Sequence, residues 1–323
     1  MKIPVASLAA TLVVAFAASS AAAQWSPQKT VEFVVPYSAG GGSDSNARML
    51  VETMRQNDLV DGEIVVLNRP GGSGAVGNAY TFAKRGDGHT IMTFNSGQMM
   101  STLSNDAQVK LENLTPLGTL ALDTLLLVVA GDAGIDSFED MVAAAEAQGE
   151  PFTVGGAARG SEDNLVFTMI EDAAGTELQY VPFEGSGETL SALLGGHINA
   201  GIFNPSEIAA QVEAGRVRPI GSLSEERLDA PFDEVPTFAE MGHPEATFVM
   251  FRGYVGPPDM PEEAVAYWEG VLQEAGATDM WVNDYVGQSG LMQATMGADE
   301  SQSFYAEEEE KYRTLLKESG FME

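Results

Sequence analysis

The chain has 323 residues, 47 of them acidic and 16 basic, and its formal net charge at neutral pH is -31. A surface with this excess of carboxylates repels polyphosphates and anionic lipids, so nucleic acids and acidic membranes are excluded as expected partners. Because the chain has no cysteine, disulfides do not stabilise it, but roughly 300 residues can bury a sizeable core in about two domains.

The N-terminal segment has the pattern of a secretory signal peptide. One lysine precedes an apolar stretch, and Ala21, Ala22 and Ala23 form a small-residue cleavage site before Gln24. An uncleaved signal anchor is the alternative, but the apolar stretch is rich in alanine and lacks flanking charges. We therefore expect cleavage near Ala23 and export to the periplasm. No later segment has the roughly 20 apolar residues that are needed to span a bilayer.

Predicted strands and helices alternate through the first half of the chain. The first strand is the near-continuous apolar run TVEFVVPY, which is typical of a parallel strand covered on both faces. A helix is predicted from Ser45 to Gln56, where apolar residues recur at helical spacing. Further strands are predicted at EIVVLN, HTIMTFN and LLLVVAG. The next helix is predicted within DSFEDMVAAAEAQG, with Asp136 or Ser137 as its N-cap and Gly149 at its end.

The middle of the chain repeats the order strand, glycine loop, helix. The repeats are PFTVGGAARGSEDNLVFTMIEDAAG, LQYVPFEGSGETLSALLGG and HINAGIFNPSEIAAQVEAG, and VRPIGSLS is a final strand. In the last repeat, Asn204 is predicted as the N-cap, Pro205 as the first helical residue and Gly215 as the end of the helix. Two long helices are predicted in the C-terminal part. Strands that alternate with helices predict a doubly wound α/β fold.

Four loops that join a strand to a helix are rich in glycine and short polar residues. They are residues 38–44, 155–164, 184–188 and 204–206. In open α/β sheets, ligands bind beyond the carboxyl ends of the strands, where glycine lets successive N–H groups converge and the helix dipole favours an anion. Loops on opposite sides of a cleft suit a dicarboxylate or a tricarboxylate. The alternative is that each loop is an ordinary turn and helix cap.

Other patterns that would indicate a site are absent or incomplete in the sequence. Gly72, Gly74 and Gly77 formally match a dinucleotide-binding fingerprint, but no acidic residue follows at the ribose position. The sequence has no G-x-S-x-G motif, and no lysine follows the first glycine loop as a P-loop requires. With three histidines, no cysteine and no H-E-x-x-H motif, a zinc site is not expected. We therefore expect no catalytic residue, no metal and no cofactor.

Motifs along nearly the whole chain after the signal segment resemble one family. In chain order they are VVPYSAGGGSDSNAR, NRPGGSGAVG, GDGHTIMT, YVPFEGSGETLSALLGGHINA, AGRVRPIGSLSEERL, VPTFAEMG and FRGYVGPPDMPEEAVAYW. They closely resemble the periplasmic substrate-binding proteins of tripartite tricarboxylate transporters, the Bug-type receptors. The resemblance implies a monomer with two α/β domains of the Venus-flytrap type, 24–122 plus 247–323 and 123–246. These domains would close about a hinge on a small organic acid and deliver it to a membrane permease.

The resemblance also implies a set of ligand-binding residues on the glycine loops. They are Tyr37, Ser38, Ala39, Gly40, Gly41, Ser43, Asp44, Gly156, Ala157, Arg159, Gly160, Ser161, Phe183, Gly185, Ser186, Gly187, Asn204 and Pro205. Arg159 either clamps a carboxylate or pairs with a surface acid, and Tyr37 and Phe183 either contact the ligand's carbon chain or belong to the strand-end core. Arg252 is interpreted as a structural or hinge residue. Because Asn164 stands where many relatives have histidine, the identity of the ligand is not transferred.

Two further functions remain open at this point. An exported enzyme acting on a small carboxylate would use Ser161 or Asp44, but neither has a credible general base near it. A ligand-presenting partner of a two-component sensor kinase would have the same fold and the same site. A turnover assay distinguishes the enzyme from both binding proteins.

Overall fold

The structure is a computed structural model that describes residues 25–104, 109, 111–147, 149–157, 161–183 and 185–322. The predicted signal peptide and the predicted site residues Arg159 and Gly160 lie outside the described residues. The strands are β1 Val31–Val35, β2 Ile64–Asn68, β3 Thr90–Asn95, β4 Thr115–Thr124, β5 Leu126–Ala130, β6 Phe152–Gly156, β7 Leu178–Pro182, β8 Ala200–Phe203, β9 Val217–Ser222, β10 Val249–Gly256 and β11 Met292–Met296.

The helices surround these strands. They are α1 Gly42–Gln56, α2 Ala75–Phe82, α3 Ser96–Ser104, α4 Phe138–Ala147, α5 Glu162–Ala174, α6 Ser186–Leu194, α7 Pro205–Glu213, α8 Glu262–Gly276 and α9 Ala298–Glu318, with short 3₁₀ turns at Gly72–Gly74 and Leu111–Asn113 and a π-helix at Met280–Gly287. None of the helices within the described ranges is long and apolar enough to cross a membrane.

The strands form two sheets, and both are mixed. The first sheet has the order β11-β4-β10-β3-β1-β2, and the second has the order β7-β6-β8-β5-β9. In the first sheet β1 is parallel to β2 and β3, whereas β10 runs antiparallel to both β3 and β4. In the second sheet β6 is parallel to β7 and β8, whereas β5 is antiparallel to β8 and β9. The predicted α/β class and the parallel environment of the first strand are confirmed.

Three strands of the first sheet have no counterpart among the predicted elements. They are β4, β10 and β11, all of which are antiparallel to their neighbours. Their sequences interrupt the apolar pattern, since β4 contains Gly118 and Asp123 and β10 contains Arg252 and Gly253. Glycine and charged residues weaken the pattern by which a buried strand is identified. The two central strands that carry Asp123 and Arg252 are therefore visible only in the structure.

The chain passes between the two sheets at one junction. Leu125 alone separates β4 from β5, and residues 223–248 separate β9 from β10. The passages lie side by side, because the Leu223 amide donates to the Leu125 carbonyl at 3.1 Å and the Phe248 amide donates to the Leu223 carbonyl at 2.8 Å. A short backbone ladder thus joins the outgoing and returning segments between the sheets.

The C-terminal helix α9 contributes to the packing of both sheets. The largest buried apolar cluster contains Phe94 of β3, Val154 of β6 and Tyr312 of α9. The Tyr312 hydroxyl donates to the Val249 carbonyl at 2.9 Å at the start of β10. Just beyond the helix, the Ser319 hydroxyl lies 3.1 Å from the Thr168 hydroxyl of α5. Helix α9 therefore reaches from the returning strand of the first sheet to a helix of the second.

Candidate functional site

A cavity of about 460 Å³ lies between the loops at the ends of the two sheets. Its wall combines glycine and hydroxyl groups with three charged side chains. The lining residues are Tyr37, Gly41, Gly42, Ser43, Ser73, Asn95, Ser96, Gly97, Met100, Ser101, Asp123, Ser161, Glu162, Met250, Phe251 and Arg252. Most of them belong to the first sheet and its helices, whereas Ser161 is the N-cap and Glu162 the first residue of α5, the helix that follows β6.

The loop between β1 and α1 is held from behind by a carboxylate. Asp44 is 3% exposed, and its oxygens accept hydrogen bonds from the Gly40 amide at 2.8 Å, Arg48 Nε at 2.9 Å and Asn68 Nδ2 at 2.9 Å. The hydrogen bond from Arg48 is the main cause that lowers the pKa of Asp44 to about 2. Asp44 therefore stays ionised and stabilises the loop, and its carboxylate is not part of the cavity wall.

With the loop held in this way, the N-terminus of α1 opens into the cavity. Gly41 is the N-cap residue, with φ -83° and ψ 176° and no side chain to cap the helix. The first N–H groups of an α-helix have no acceptor within the helix, and they carry the positive end of its dipole. The Ser43 hydroxyl accepts a hydrogen bond from Asn95 Nδ2 at 3.0 Å, so its own proton can be donated to a ligand. This corner of the cavity is suited to an anion.

Arg252 brings a positive charge to the same corner. It lies on β10 beside Asp123 of β4, and its Nη2 makes a short ion pair with Asp123 Oδ2. The absence of a side chain at Gly42 lets the guanidinium approach α1, since a Cβ there would lie 3.2 Å from Arg252 Nη1. Arg252 Nε is buried and has no hydrogen-bond partner among the described residues. A cation and a helix N-terminus, which repel each other, thus face one space that an anion can fill.

Glu162 reaches across the cavity from the opposite side. It begins α5, whose N-cap Ser161 accepts a hydrogen bond from the Asn164 amide at 3.3 Å. Its carboxylate lies against Gly97 near the start of α3, because a Cβ at Gly97 would be 2.5 Å from Glu162 Oε1. Burial is the main cause that raises the pKa of Glu162. A side chain of the second sheet's helices therefore contacts a helix of the first.

The structure brings some of the sequence-predicted site residues into this cavity and places others elsewhere. Tyr37, Gly41, Ser43 and Ser161 line the cavity, and the Tyr37 hydroxyl donates to Asn95 Oδ1 at 3.3 Å. The residues that do not line it are Ser38, Ala39, Gly40, Asp44, Gly156, Ala157, Phe183, Gly185, Ser186, Gly187, Asn204 and Pro205.

The predicted residues outside the cavity have other contacts in the structure. Gly156 packs against Tyr180, since a Cβ there would lie 2.6 Å from the Tyr180 hydroxyl. Phe183 is half-buried against an apolar cluster of the second sheet. Asn204 forms a capping box with Glu207 at the start of α7, and its Nδ2 donates to the Thr124 carbonyl at 3.0 Å. These contacts lie within the second sheet and its helices, except for the hydrogen bond from Asn204 to the end of β4.

The three charged residues that line the cavity were not predicted from the sequence as site residues. Asp123 and Arg252 each interrupt an apolar strand, and Glu162 follows a predicted loop serine. A charged residue within a buried strand is costly unless it is paired or functional. This cost could have indicated Asp123 and Arg252 as paired or functional residues. Because β4 and β10 were not predicted as strands, there was little reason to apply it to the sequence alone.

A pH dependence of stability is expected from Asp163, the neighbour of Glu162. Its carboxylate accepts a hydrogen bond from the Ala157 amide at 2.7 Å, and burial raises its pKa from 3.8 to about 7. The folded state then binds more protons than the unfolded state, so the free energy of unfolding falls as the pH rises from 3.8 to about 7. The full shift corresponds to about 4 kcal/mol, and we expect about half because the group is partly exposed.

The variant Asp163→Asn tests this expectation by removing the charge while keeping an acceptor for the Ala157 amide. We expect its free energy of unfolding to exceed that of the wild type by about 2 kcal/mol at pH 8 and to differ little at pH 4. Urea denaturation at both pH values measures the difference. Asp172→Asn, an exposed acid on the same helix, is the matched control. An equal effect of Asp163→Asn at both pH values would contradict the expectation.

Comparison with known proteins identifies the family. Residues 47–321 match the TctC family, described as the tripartite tricarboxylate transporter family receptor. The chain is 26% identical over 298 residues to the protein BugT of Bordetella pertussis, covering 91% of this chain and 90% of BugT. A TctC solute binding protein from Polaromonas has a structure with a TM-score of 0.76, 25% identity and coverage of 90% of this chain and 99% of that chain.

A second solved structure supports the fold. R. palustris Rpa4515 with adipate has a TM-score of 0.78 and 23% identity, and the match covers 91% of this chain and 98% of that chain. The two-sheet α/β architecture is thus that of periplasmic binding proteins. The family match spans most of the chain and includes the cavity residues from Ser73 onward, whereas Tyr37, Gly41, Gly42 and Ser43 precede it. This protein therefore belongs to the TctC family of tripartite tricarboxylate transporter receptors, and the resemblance stated from its sequence motifs is confirmed.

Proposed function

We propose that this protein is a periplasmic receptor that captures a small organic acid in the cavity and delivers it to the membrane permease of a tripartite tricarboxylate transporter. The observation that carries the proposal is the position of the Arg252 guanidinium and the α1 N-terminus on one side of the same cavity. A carboxylate between them would accept hydrogen bonds from main-chain N–H groups, from Ser43 and from Arg252. The bound adipate of Rpa4515 is consistent with this ligand class.

The negative net charge of the protein does not oppose such a site. At about 0.15 M salt the screening length is about 8 Å, so charges on distant surfaces contribute little inside the cavity. Within that distance the potential is set by the α1 dipole and by the charged lining residues Arg252, Asp123 and Glu162, and it is most positive at the corner formed by Arg252 and the α1 N-terminus. The local donors, and not the overall charge of -31, decide whether a carboxylate binds.

Binding is proposed to close the two domains about the junction at Leu125 and Phe248. The proposed domains are 24–122 plus 247–323 and 123–246, and both crossings of the chain lie within a few residues of these boundaries. Closure requires that the ligand binds the closed form more tightly than the open form. A ligand that contacts α1 from one domain and α5 from the other meets this requirement.

A covalent reaction is not part of the proposal. Ser161 Oγ is engaged in capping α5, Asp44 is held by three hydrogen-bond donors, and no histidine lines the cavity within the described part of the chain. We propose that the receptor acts as a monomer. A ligand-presenting partner of a sensor kinase would use the same cavity. Measuring whether the liganded protein binds a permease or a sensor kinase distinguishes transport from signalling.

The proposal is tested by a thermal-shift screen of dicarboxylates, tricarboxylates, aromatic acids and amino acids, followed by calorimetry of the best compounds. A ligand present at about 100 times its dissociation constant stabilises the folded state by about 2.7 kcal/mol, which is readily detected. Failure of every carboxylate class to stabilise the protein would overturn the proposed function.

The variant Gly41→Leu is expected to abolish binding of the best compound, with a loss in affinity of about 100-fold or more. A Cβ at Gly41 meets only the Ser38 carbonyl, at 3.7 Å, so the leucine side chain has room to occupy the cavity. Because leucine is a poorer N-cap than glycine, we expect a stability cost of at most about 1 kcal/mol. Gly270→Leu on α8, where a Cβ meets nothing within 4 Å, is the matched control. Calorimetry showing unchanged affinity in Gly41→Leu would place the ligand outside this cavity.

A further inference from the structure

The cavity is lined by one more acidic side chain than basic side chains. Its charged lining residues are two acids, Asp123 and Glu162, and one base, Arg252. Asp123 is 1% exposed and pairs directly with Arg252, so that carboxylate already has a cationic partner. Glu162 is left as the second carboxylate without an ion-pair partner among the described residues.

Glu162 also lies between the two sets of helices in the wall of the cavity. Its side chain extends from the first turn of α5 to the backbone of α3 at Gly97, and Tyr37 lies within its electrostatic reach. A larger residue at position 97 would displace the carboxylate, so glycine there leaves the space that Glu162 occupies. The carboxylate thus forms part of the wall between the two sets of helices.

The two sides of the cavity therefore present opposite chemistry. The side formed by Arg252, Ser43 and the α1 N-terminus donates hydrogen bonds and carries positive potential. The side formed by Glu162 presents a carboxylate, which accepts hydrogen bonds. Burial raises the pKa of Glu162, and a cationic group bound beside it would favour its negatively charged form. A dicarboxylate that satisfied the first side would bring its second carboxylate toward a like charge in a partly desolvated space, where such repulsion is several times stronger than in water. A ligand with a cationic nitrogen at its second end would instead form an ion pair with Glu162.

We propose that Glu162 is a specificity-determining residue that selects an organic acid with one carboxylate and one cationic amine and disfavours dicarboxylates. This inference rests on the proposed function, since it assigns the ligand class of the same cavity. Glu162 is assigned a role in binding the second end of the ligand, and Arg252 and α1 bind the carboxylate. No other element of the proposed transport function depends on this assignment.

The experiment compares compounds that are matched in length and differ in the second charge. The pairs are adipate with 6-aminohexanoate, glutarate with 5-aminopentanoate and succinate with 4-aminobutanoate. Calorimetry at pH 8 measures each compound with the wild type, Glu162→Gln, Glu162→Ala and the matched control Asp172→Asn. Thermal melting of each unliganded variant establishes that it is folded, and the two substitutions at Glu162 provide independent tests if one of them fails to fold.

In at least one pair, we expect the wild type and Asp172→Asn to bind the amino acid about tenfold or more tightly than the dicarboxylate. We expect both Glu162 variants to lose about tenfold in affinity for the amino acid and to gain affinity for the dicarboxylate. The inference is overturned if the wild type prefers the dicarboxylate in every pair, or if the Glu162 variants retain the wild-type preference. Absence of binding of all six compounds also overturns it, and the broader carboxylate screen then decides separately whether the proposed function fails.

Discussion

Replacing Arg252 with methionine is expected to lower the free energy of unfolding by about 3–5 kcal/mol, because the substitution leaves the buried Asp123 carboxylate without its cation. Asp123 is 1% exposed, and the Thr124 amide, at 2.9 Å, is its other described hydrogen-bond donor. Methionine keeps much of the volume of the side chain but cannot compensate the charge. The same variant is expected to bind the best carboxylate about 100-fold more weakly. Urea denaturation and calorimetry measure the two effects.

Two further variants test whether the broken ion pair causes the loss of stability in Arg252→Met. The double variant Arg252→Met with Asp123→Leu removes both charges, and we expect it to recover most of the lost stability while remaining unable to bind the ligand tightly. Arg218→Met breaks an exposed ion pair with Asp136, whose side chain is 74% exposed, and should cost less than about 1 kcal/mol. If Arg252→Met costs no more than Arg218→Met, the pair with Asp123 does not stabilise the centre of the sheet as we infer.

The second large effect is expected at the neighbouring residue, where Gly253→Ala should cost about 3 kcal/mol or more. A Cβ at Gly253 would overlap the Tyr305 hydroxyl directly. Tyr305 is 7% exposed, and its hydroxyl is bonded to Thr119 Oγ1 at 2.8 Å and to the Gly118 carbonyl at 3.2 Å. The ring therefore cannot move without breaking these contacts. Chemical denaturation of the variant measures the cost.

A double-mutant cycle with Tyr305→Phe tests the proposed cause. The phenylalanine removes the overlapping oxygen, and by itself it should cost about 1–2 kcal/mol through the lost hydrogen bonds. We expect the double variant to be at least about 1 kcal/mol more stable than the sum of the single effects predicts, because the two residues are in contact. Gly270→Ala on α8, which meets no atom within 4 Å, should be neutral or stabilising. Strict additivity of Gly253→Ala and Tyr305→Phe would exclude the overlap as the cause.

Local sequence signals were sufficient to predict those helices and strands whose ends are set by residues close to them in the sequence. The N-cap Asn204, the following proline and Gly215 predicted the limits of α7, and the structure has the capping box and a Gly215 φ of 65°. The apolar run around Phe33 predicted a strand with parallel neighbours, and its partners β2 and β3 confirm it. Caps, turns and apolar runs act over a few residues, so a single sequence contains the information needed to recognise them.

The glycine pattern at Gly72, Gly74 and Gly77 shows that a local motif does not reveal the structural role of each glycine. A dinucleotide site is not expected there, because the sequence lacks the acidic residue at the ribose position. The structure gives the third glycine a packing role, because a Cβ at Gly77 would lie 2.5 Å from Pro36 Cβ and 2.7 Å from Pro36 Cα. Close approach of α2 to the end of β1 requires glycine there, and the distance between these elements cannot be obtained from spacing along the chain.

The sequence by itself determined the α/β class and, through its ordered motifs, the family, and it predicted Tyr37, Gly41 and Ser43 of the first glycine loop, which line the cavity. It did not determine which charged groups meet in the cavity. Asp123 and Arg252 are separated by 129 positions and are brought together by the antiparallel pairing of β4 and β10, and Glu162 reaches Gly97 only because α5 and α3 face each other. Such contacts depend on the order of strands in a sheet and on the arrangement of the two sheets, which are set by the packing of the whole chain.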